Sequence, residues 1–96
     1  MGKIKGTLKS GFAFEVDDDV FDDYDLVLLF GQYQENPSMI LFDKIADKFI
    51  GAEQKKALMD HLRDENGKLR TSAMIDALAE IEDATTASKN SEPSPT

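Results

Sequence analysis

Residues 54–81 read QKKALMDHLRDENGKLRTSAMIDALAEI, which is the most distinctive stretch of the chain. Leu58 and Leu62 recur at the spacing of one helix face, which predicts an amphipathic helix. A polar turn follows, in which Asn66-Gly67 favours a left-handed residue that redirects the chain. After the turn, Thr71 or Ser72 is expected to cap a second helix. The apolar residues of that helix share one face: Met74, Ile75, Leu78 and Ile81. The stretch therefore predicts two amphipathic helices joined by a turn.

The N-terminal part of the chain alternates apolar and polar residues with the period of β-strands. A two-residue loop would place the apolar side chains of the two strands on opposite faces of the sheet. A three-residue loop ending at Gly11 pairs Leu8 with Phe12 and Ile4 with Val16, which keeps these side chains on one face. Gly11 can adopt the left-handed conformation that such a loop requires. We therefore predict a β-hairpin with a three-residue loop.

The segment after the hairpin predicts a first helix with an acidic start. Residues 15–25 contain seven acids and no base. The carboxylates of Asp17 to Asp19 can cap the exposed amides of this helix and interact favourably with the positive end of its dipole. Residues 26–30 are apolar on nearly all sides, which indicates a helix central to the core. We expect its inner stripe to consist of Tyr24, Val27, Leu28 and Gly31.

Asn36-Pro37 reads as the cap and first residue of a second helix. That helix carries Leu41, Phe42, Ile45 and Phe49 at helical spacing and is expected to end near Gly51. From Thr85 onwards the chain loses large apolar residues and gains Ser, Thr and Pro, which predicts a flexible tail.

The fold class that these patterns predict is α+β, with an N-terminal β-hairpin packed on about four short α-helices. A chain of 96 residues makes a single small domain. The predicted elements of that domain, residues 1–84, are a hairpin over 3–16 and helices over about 19–33, 37–50, 52–64 and 72–84. The predicted flexible tail covers residues 85–96.

Composition excludes several classes of partner. The net charge of -8 repels nucleic acid and anionic membranes, so we expect neither as a partner. The longest apolar run, residues 26–30, is far below the roughly 20 residues that span a bilayer. The chain has no cysteine, which excludes a disulfide framework and a thiolate zinc site and suits a reducing cytoplasm.

The turn at residues 64–69 has the Asp, Asn and Gly spacing of a calcium-binding loop. With Gly67 at the glycine position of such a loop, its first and last ligand positions fall on Leu62 and Ala73, which carry no carboxylate. Calcium takes about six or more oxygen ligands. The favoured interpretation is a structural turn at Asn66-Gly67, and we expect no metal ion and no cofactor.

His61 is the only histidine, and no nucleophile, oxyanion donor set or metal site accompanies it in the sequence. We therefore predict that the chain is not an enzyme. The acidic run over 15–25 could chelate cations or mimic a nucleic-acid backbone. A helix start with a solvated face is the favoured interpretation of that run.

The second predicted helix carries more apolar surface than one narrow stripe needs. Its aromatic residues favour a core interpretation, and the alternative is a docking or self-association patch. With the apolar face of the next helix, the candidate partner-binding residues are Met39, Ile40, Phe42, Phe49, Leu58 and Leu62.

Short strings along the chain carry a family resemblance. Residues 57–69 read ALMDHLRDENGKL and residues 74–81 read MIDALAEI. Upstream, residues 12–19 read FAFEVDDD and residues 22–26 read DDYDL. With these strings the chain resembles the tail assembly chaperones of long-tailed, siphovirus-type bacteriophages or prophages of Gram-positive bacteria. The helix predicted over 37–50 departs from that family in being richer in Phe.

The resemblance implies a non-enzymatic protein in the cytoplasm of the bacterial host. Such chaperones bind the tape-measure protein and help to recruit the major tail protein, and the chain is a possible homo-oligomer. An acidic helical protein could cover amphipathic stretches of a long helical client while its charge keeps the complex dispersed. The alternative function is an acidic inhibitor that mimics nucleic acid and binds a basic DNA-binding protein.

Overall fold

The computed structural model describes residues 2–90 and confirms the α+β class. The strands and helices are β1 (Lys3–Thr7), β2 (Ala13–Asp17), α1 (Tyr24–Glu35), α2 (Met39–Ile50), α3 (Ala52–Leu62) and α4 (Thr71–Asn90). A 3-10 turn, Val20–Asp22, precedes α1. Within residues 2–90, no helix combines the length and apolar composition that a membrane crossing requires.

The hairpin has the predicted register. Ile4 lies opposite Val16 in the antiparallel pair, and the Leu8 amide donates a hydrogen bond of 2.8 Å to the Phe12 carbonyl. Gly11 has a φ of 97°, which only glycine adopts readily. The three-residue loop is confirmed because it is the one that brings the apolar side chains of both strands to the buried face.

Gln54 joins α3 to the hairpin through its side-chain amide. The Glu15 amide donates to Gln54 Oε1 at 2.8 Å, and Gln54 Nε2 donates to the Glu15 carbonyl at 2.8 Å. The same Nε2 also donates to the Ile50 carbonyl at 2.8 Å. One side chain thus fixes the position of β2 relative to the α2–α3 junction.

The core lies between the hairpin and the four helices. Leu26, Leu58 and Ile81 are fully buried and come from α1, α3 and α4. The hairpin contributes Phe14 and Val16. Full burial of a large apolar side chain contributes roughly 1.5–3 kcal/mol relative to exposure, so these residues dominate the stability of the domain.

Helix α1 begins at Tyr24, five residues after the start predicted near Asp19. Asp23 Oδ1 accepts hydrogen bonds from the amides of Asp25, at 3.0 Å, and Leu26, at 3.3 Å. This cap defines the helix start. An acid caps this helix as predicted, but the capping residue is Asp23 and not one of Asp17 to Asp19.

The predicted inner stripe of α1 is wrong. Tyr24, Val27 and Leu28 are 77%, 51% and 50% exposed, and Gly31 is exposed as well. The buried side is formed by Leu26, with partly buried Leu29, Phe30 and Tyr33. Because residues 26–30 are apolar on nearly all sides, periodicity alone could not identify which side faces the core.

Helix α2 begins at Met39, two residues after the predicted start. Asn36 ends α1 instead, where its amide donates to the Gln32 carbonyl at 3.0 Å. Pro37 disfavours helical geometry at the residue before it, and Asn36 does not cap α2. Ser38 Oγ performs that role by accepting a hydrogen bond from the Leu41 amide at 3.1 Å.

Helix α3 ends at Leu62, two residues before the predicted end, because Arg63 has extended backbone angles. In the turn, Asp64 Oδ1 accepts hydrogen bonds from the amides of Asn66, at 2.9 Å, and Lys68, at 3.0 Å. Gly67 has a φ of 81°. The Asp64 carboxylate therefore organises this turn together with the predicted left-handed glycine.

Helix α4 continues to Asn90, beyond the end predicted at residue 84. Thr85 is fully buried, and its Oγ1 donates to the Ile81 carbonyl at 2.8 Å. A flexible tail from residue 85 is therefore wrong for residues 85–90. Loss of large apolar residues misled that prediction, because a buried threonine can satisfy its hydroxyl within its own helix. Residues 91–96 of the predicted tail lie outside the described part.

The cap predicted for α4 is also corrected. Thr71 is already helical, and the Arg70 carbonyl accepts the hydrogen bond of the Met74 amide at 3.3 Å. Arg70 therefore occupies the capping position that had been predicted for Thr71 or Ser72.

Candidate partner-binding surface

An apolar groove of about 540 Å³ opens between α1, α2 and α4. Its apolar lining consists chiefly of Phe30, Tyr33, Phe42, Phe49, Ile75 and Leu78. Gln34 and Glu82 also line the groove and supply polar groups. An open apolar cleft with a few polar groups is typical of a binding site.

Each of the three helices contributes residues at the spacing of one helix face. Phe30 and Tyr33 are three residues apart on α1, and Phe42 and Phe49 are seven apart on α2. Residues three, four and seven apart lie on one side of a helix. The groove therefore forms where three such faces meet without closing against one another.

Two ring contacts position the aromatic residues of the groove. The Tyr33 and Phe42 rings lie 6.4 Å apart between centroids at an interplanar angle of 51°. Phe21 stacks on Phe49 at 5.8 Å. Tilted and offset ring pairs of this kind are favourable by about 0.5–1.5 kcal/mol, so they hold the groove walls in a defined arrangement.

A smaller cavity of about 170 Å³ lies between α2, α3 and the start of α4, and we call it the methionine pocket. It is lined by Met39, Met59 and Met74, with Phe42 and Leu69. Phe42 lines both the methionine pocket and the apolar groove. Methionine side chains adapt to irregular partners, which suits a surface that contacts more than one sequence.

The structure places the six candidate partner-binding residues at four separate locations. Met39 and Ile40 are 49% and 73% exposed, and Phe42 is half-buried beside them. These three form an apolar patch at the start of α2.

The other three candidates do not join that patch. Leu58 is fully buried and belongs to the core, so the folded domain does not offer it to a partner. Phe49 is nearly buried and lines the groove from the core side. Leu62 lies in a separate cavity beside the hairpin loop, with Leu8 and Ser10.

Sequence reasoning missed four of the six apolar residues named for the groove. Phe30, Tyr33, Ile75 and Leu78 were not among the candidates, and Ile75 was predicted to face inward although it is 40% exposed. The usable signal was the surplus of apolar residues on α1 and α4. That signal cannot identify a groove by itself, because it does not reveal which helices leave a gap between them.

Ion pairs link the helices and engage part of the acidic run. Lys55 Nζ lies 2.9 Å from Asp43 Oδ1 and 2.9 Å from Asp47 Oδ1. Lys55 donates hydrogen bonds to Asp47 and Asp43, and both bonds raise the pKa of Lys55 above its ordinary value. The bond to Asp47 makes the larger contribution. Lys48 lies 3.8 Å from an Asp23 oxygen and 3.5 Å from an Asp25 oxygen, which connects α2 to the start of α1.

The hairpin surface also pairs its charges. Lys3 forms an ion pair with Asp17, and Lys5 Nζ lies 3.6 Å from Glu15 Oε1. The hydrogen bond to Asp17 and the charge of that carboxylate raise the pKa of Lys3. Several acids of the run over 15–25 therefore have lysine partners or a capping role.

His61 contacts the hairpin loop. Its Nε2 lies 3.0 Å from the Ser10 carbonyl oxygen, and its ring lies 5.5 Å from the Phe12 ring. Among residues 2–90, no group of three or more His, Asp or Glu side chains is arranged to hold a metal ion. The described residues therefore form apolar contact surfaces with charged borders.

Comparisons with protein-family models, with curated proteins and with solved structures found no match for the chain.

Proposed function

We propose that this protein is a tail assembly chaperone of a long-tailed bacteriophage or prophage, which binds the tape-measure protein and assists tail-tube assembly. The observation that carries the proposal is the open apolar groove between α1, α2 and α4. The resemblance of residues 57–69 and 74–81 to such chaperones identifies the class of client.

The dimensions of the groove suit an amphipathic helix. Phe42 and Phe49 are seven residues apart on α2, a rise of about 10 Å, which matches roughly two turns of a client helix. A helix of that kind inserts side chains at positions i, i+3, i+4 and i+7 into an apolar groove. Burial of those side chains supplies about 25 cal/mol for each Å² of apolar surface removed from water.

Charge completes the role of the proposed chaperone. The net charge of -8 keeps the free protein and its complexes apart by mutual repulsion. A long, aggregation-prone client covered by several acidic copies stays dispersed in the cytoplasm of the bacterial host until the major tail protein polymerises around it. The proposed role needs no bond-making step and no cofactor.

Co-expression with the tape-measure protein encoded downstream tests the proposal. We expect a soluble complex to co-purify with the unmodified chain. Ile75→Glu places a charge at the groove and should lower the amount of complex about tenfold or more. Ala87→Glu adds the same charge to an exposed position further along α4 and serves as the matched control.

Two results would contradict the proposed function. One is a tape-measure protein that stays insoluble or unbound when co-expressed with the unmodified chain. The other is equal recovery of complex with Ile75→Glu and with Ala87→Glu, which would remove the groove from the interaction. Circular dichroism of both variants should match the unmodified chain, because both substituted side chains are exposed.

The alternative function, an acidic inhibitor that binds a basic DNA-binding protein, has less support. Lysine pairing at Asp17 and Asp23 reduces the charge that the acidic run can present. Such an inhibitor would bind a basic partner in a salt-sensitive way. Neutralising Asp17, Asp18, Asp22 and Asp23 to Asn should abolish that binding, and unchanged binding after neutralisation would exclude this function.

A further inference from the structure

Helix α1 carries a second apolar surface, which we call the outer stripe. It consists of Tyr24, Val27, Leu28 and Gly31, which follow the i, i+3, i+4, i+7 spacing of one helix face. Half or more of the surface of each of the three large side chains is exposed to solvent. An added Cβ at Gly31 would meet no atom within 4 Å, so the stripe ends in an open notch.

Single exposed apolar residues are common, but an ordered row of them on one helix face is the pattern by which helices pair. Tyr24 presents a large ring, and Val27 and Leu28 present a ridge beside it. The missing side chain at Gly31 allows another helix to approach the backbone closely. The outer stripe therefore has the features of a docking face for one partner helix.

The outer stripe is distinct from the apolar groove. On an ideal helix, its centre lies roughly 140° around α1 from the side that carries Phe30 and Tyr33. Phe30 and Tyr33 line the groove, whereas no residue of the stripe does. Helix α1 can therefore contact a client on one side and a second protein on the other.

Acidic residues border the stripe at both ends. Asp22 and Asp25 lie at its N-terminal end, and Glu35 lies one helical turn beyond Gly31 in line with the stripe. Asp25 is paired with Lys48 at 3.5 Å. Asp22 and Glu35 form no ion pair with any of the side chains that the structure describes, those of residues 2–88. The border therefore presents unneutralised negative charge to an approaching partner.

The negative charge at the border of the stripe distinguishes between the partners that could bind there. A second copy of the chain also carries a net charge of -8 and would bring acidic borders together. The stripe rises only about 10 Å along α1, too little for the roughly 800 Å² that each partner buries in a stable dimer. An anionic membrane would be repelled in the same way.

We propose that the outer stripe of α1 binds an amphipathic helix of a partner protein whose apolar ridge is bordered by lysine or arginine. The apolar ridge packs on Val27 and Leu28, with a bulky side chain seated over Gly31. Basic residues at the two ends of the partner helix pair with Asp22 and Glu35. This inference does not rest on the proposed chaperone function, because it follows from the exposure and charge of α1.

The test uses the full chain labelled with ¹⁵N and two synthetic helical peptides. Both peptides carry leucines at i, i+3, i+4 and i+7; one has lysines bordering this ridge and the other has glutamates. We expect the lysine peptide to bind, with amide shift changes at Val27, Leu28 and Gly31. The glutamate peptide should bind at least about tenfold more weakly, because its charges meet Asp22 and Glu35.

Matched variants assign the binding to the stripe. Leu28→Glu should weaken binding of the lysine peptide about tenfold or more, whereas Ala87→Glu introduces the same charge at an exposed position on α4 and should leave binding unchanged. Asp22→Asn with Glu35→Gln should weaken the peptide and reduce the salt dependence of its binding. None of these variants changes a core residue. Away from the substituted positions, their amide spectra should therefore overlay with the spectrum of the unmodified chain.

Four results would overturn the inference. These are no binding of the lysine peptide, equal binding of the two peptides, shift changes confined to the apolar groove, and equal loss of binding with Leu28→Glu and Ala87→Glu. Sedimentation of the chain alone gives a further decisive result, since a dimer abolished by Leu28→Glu would assign the stripe to a second copy. Binding of phosphatidylglycerol vesicles abolished by the same variant would assign it to a membrane.

Discussion

Helices α1 and α2 are both 12 residues long and both rich in apolar residues, yet α2 buries more of these residues than α1 does. Helix α2 buries Ile45, Ala46, Phe49 and Ile50, whereas α1 buries only Leu26. The amount of apolar surface on a helix is therefore a poor guide to how much of it the core receives. What α1 does not bury is available to partners on two sides.

The neighbours of the two helices explain this difference. Helix α2 packs against α1, α3 and β2, so several elements cover its surface. The main neighbours of α1 are α2 and the 3-10 turn that precedes it. A helix with few neighbours leaves some of its apolar side chains exposed to solvent. A row of such side chains on one helix face indicates a binding surface.

The largest effect is expected from two leucines of α1 that are two residues apart. Leu26 is fully buried and Leu28 is 50% exposed. Leu26→Ala should lower the free energy of unfolding by about 2–5 kcal/mol, through lost burial and a cavity. Leu28→Ala should change it by less than about 0.5 kcal/mol. Urea unfolding followed by circular dichroism measures both, and equal losses would refute the assignment of the buried side.

The ion pairs between α2 and α3 should have the next largest effect on the free energy of unfolding. Lys55 fastens α3 to Asp43 and Asp47 of α2 and is mostly shielded, whereas Lys48 pairs with α1 at a half-exposed position. Lys55→Gln should cost about 1–2 kcal/mol, because two acids lose their partner. Lys48→Gln should cost less than about 0.5 kcal/mol.

The pH dependence of Lys55 sharpens this comparison. Its pKa is raised in the folded state above the ordinary value of 10.5. Protonated Lys55 therefore stabilises the fold fully below about that pH, and the stabilisation is lost as pH rises through the folded value. The stability difference between the unmodified chain and Lys55→Gln should shrink above pH 10.5. A difference that stays constant through alkaline titration would argue against the ion pair.

Removal of a helix cap should lower the free energy of unfolding by a smaller amount. The loss should be similar for α1 and α2. Asp23 caps α1 by accepting two amide hydrogen bonds, and Ser38 caps α2 by accepting one. Asp23→Ala and Ser38→Ala should each cost about 1 kcal/mol, and Asp23→Asn only a few tenths. Thermal unfolding should therefore order the Asp23 variants as Asn above Ala. Equal losses in the two variants would show that Asp23 acts mainly through its charge, which both substitutions remove.

The smallest change in stability is expected on the outer stripe. Val27→Lys replaces an exposed apolar side chain and should alter the free energy of unfolding by less than about 0.5 kcal/mol. The matched change Ile45→Lys on α2 should prevent folding, because it buries an uncompensated charge. Circular dichroism and soluble yield distinguish the two. Unfolding of Val27→Lys would show that the stripe belongs to the core.

The hairpin could be predicted from the sequence in detail because its constraints are discrete. A loop of two residues and a loop of three differ in which face receives Phe12 and Val16, and only one choice buries both strands together. The end of α2 near Gly51 was also predictable, since that glycine has a φ of 87°. Local geometry left few alternatives at these positions.

The inner side of α1 and the groove could not be predicted, for a different physical reason. Residues 26–30 offer apolar side chains in every direction, so the orientation of α1 depends on contacts with α2 that no local pattern specifies. The groove depends in turn on where α4 passes relative to both helices. Likewise, Thr85 was misjudged because its burial follows from helix packing, not from its polarity.

The amide of Gln54 has a consequence for how the two-stranded sheet ends. A strand edge with free backbone groups can recruit a strand from another molecule and grow into an intermolecular sheet. At Glu15, the outward amide and carbonyl are both occupied by Gln54, whose side chain imitates the peptide group of a neighbouring strand. This glutamine therefore occupies the backbone groups at the middle of the β2 edge, where it disfavours the pairing of a strand from another molecule.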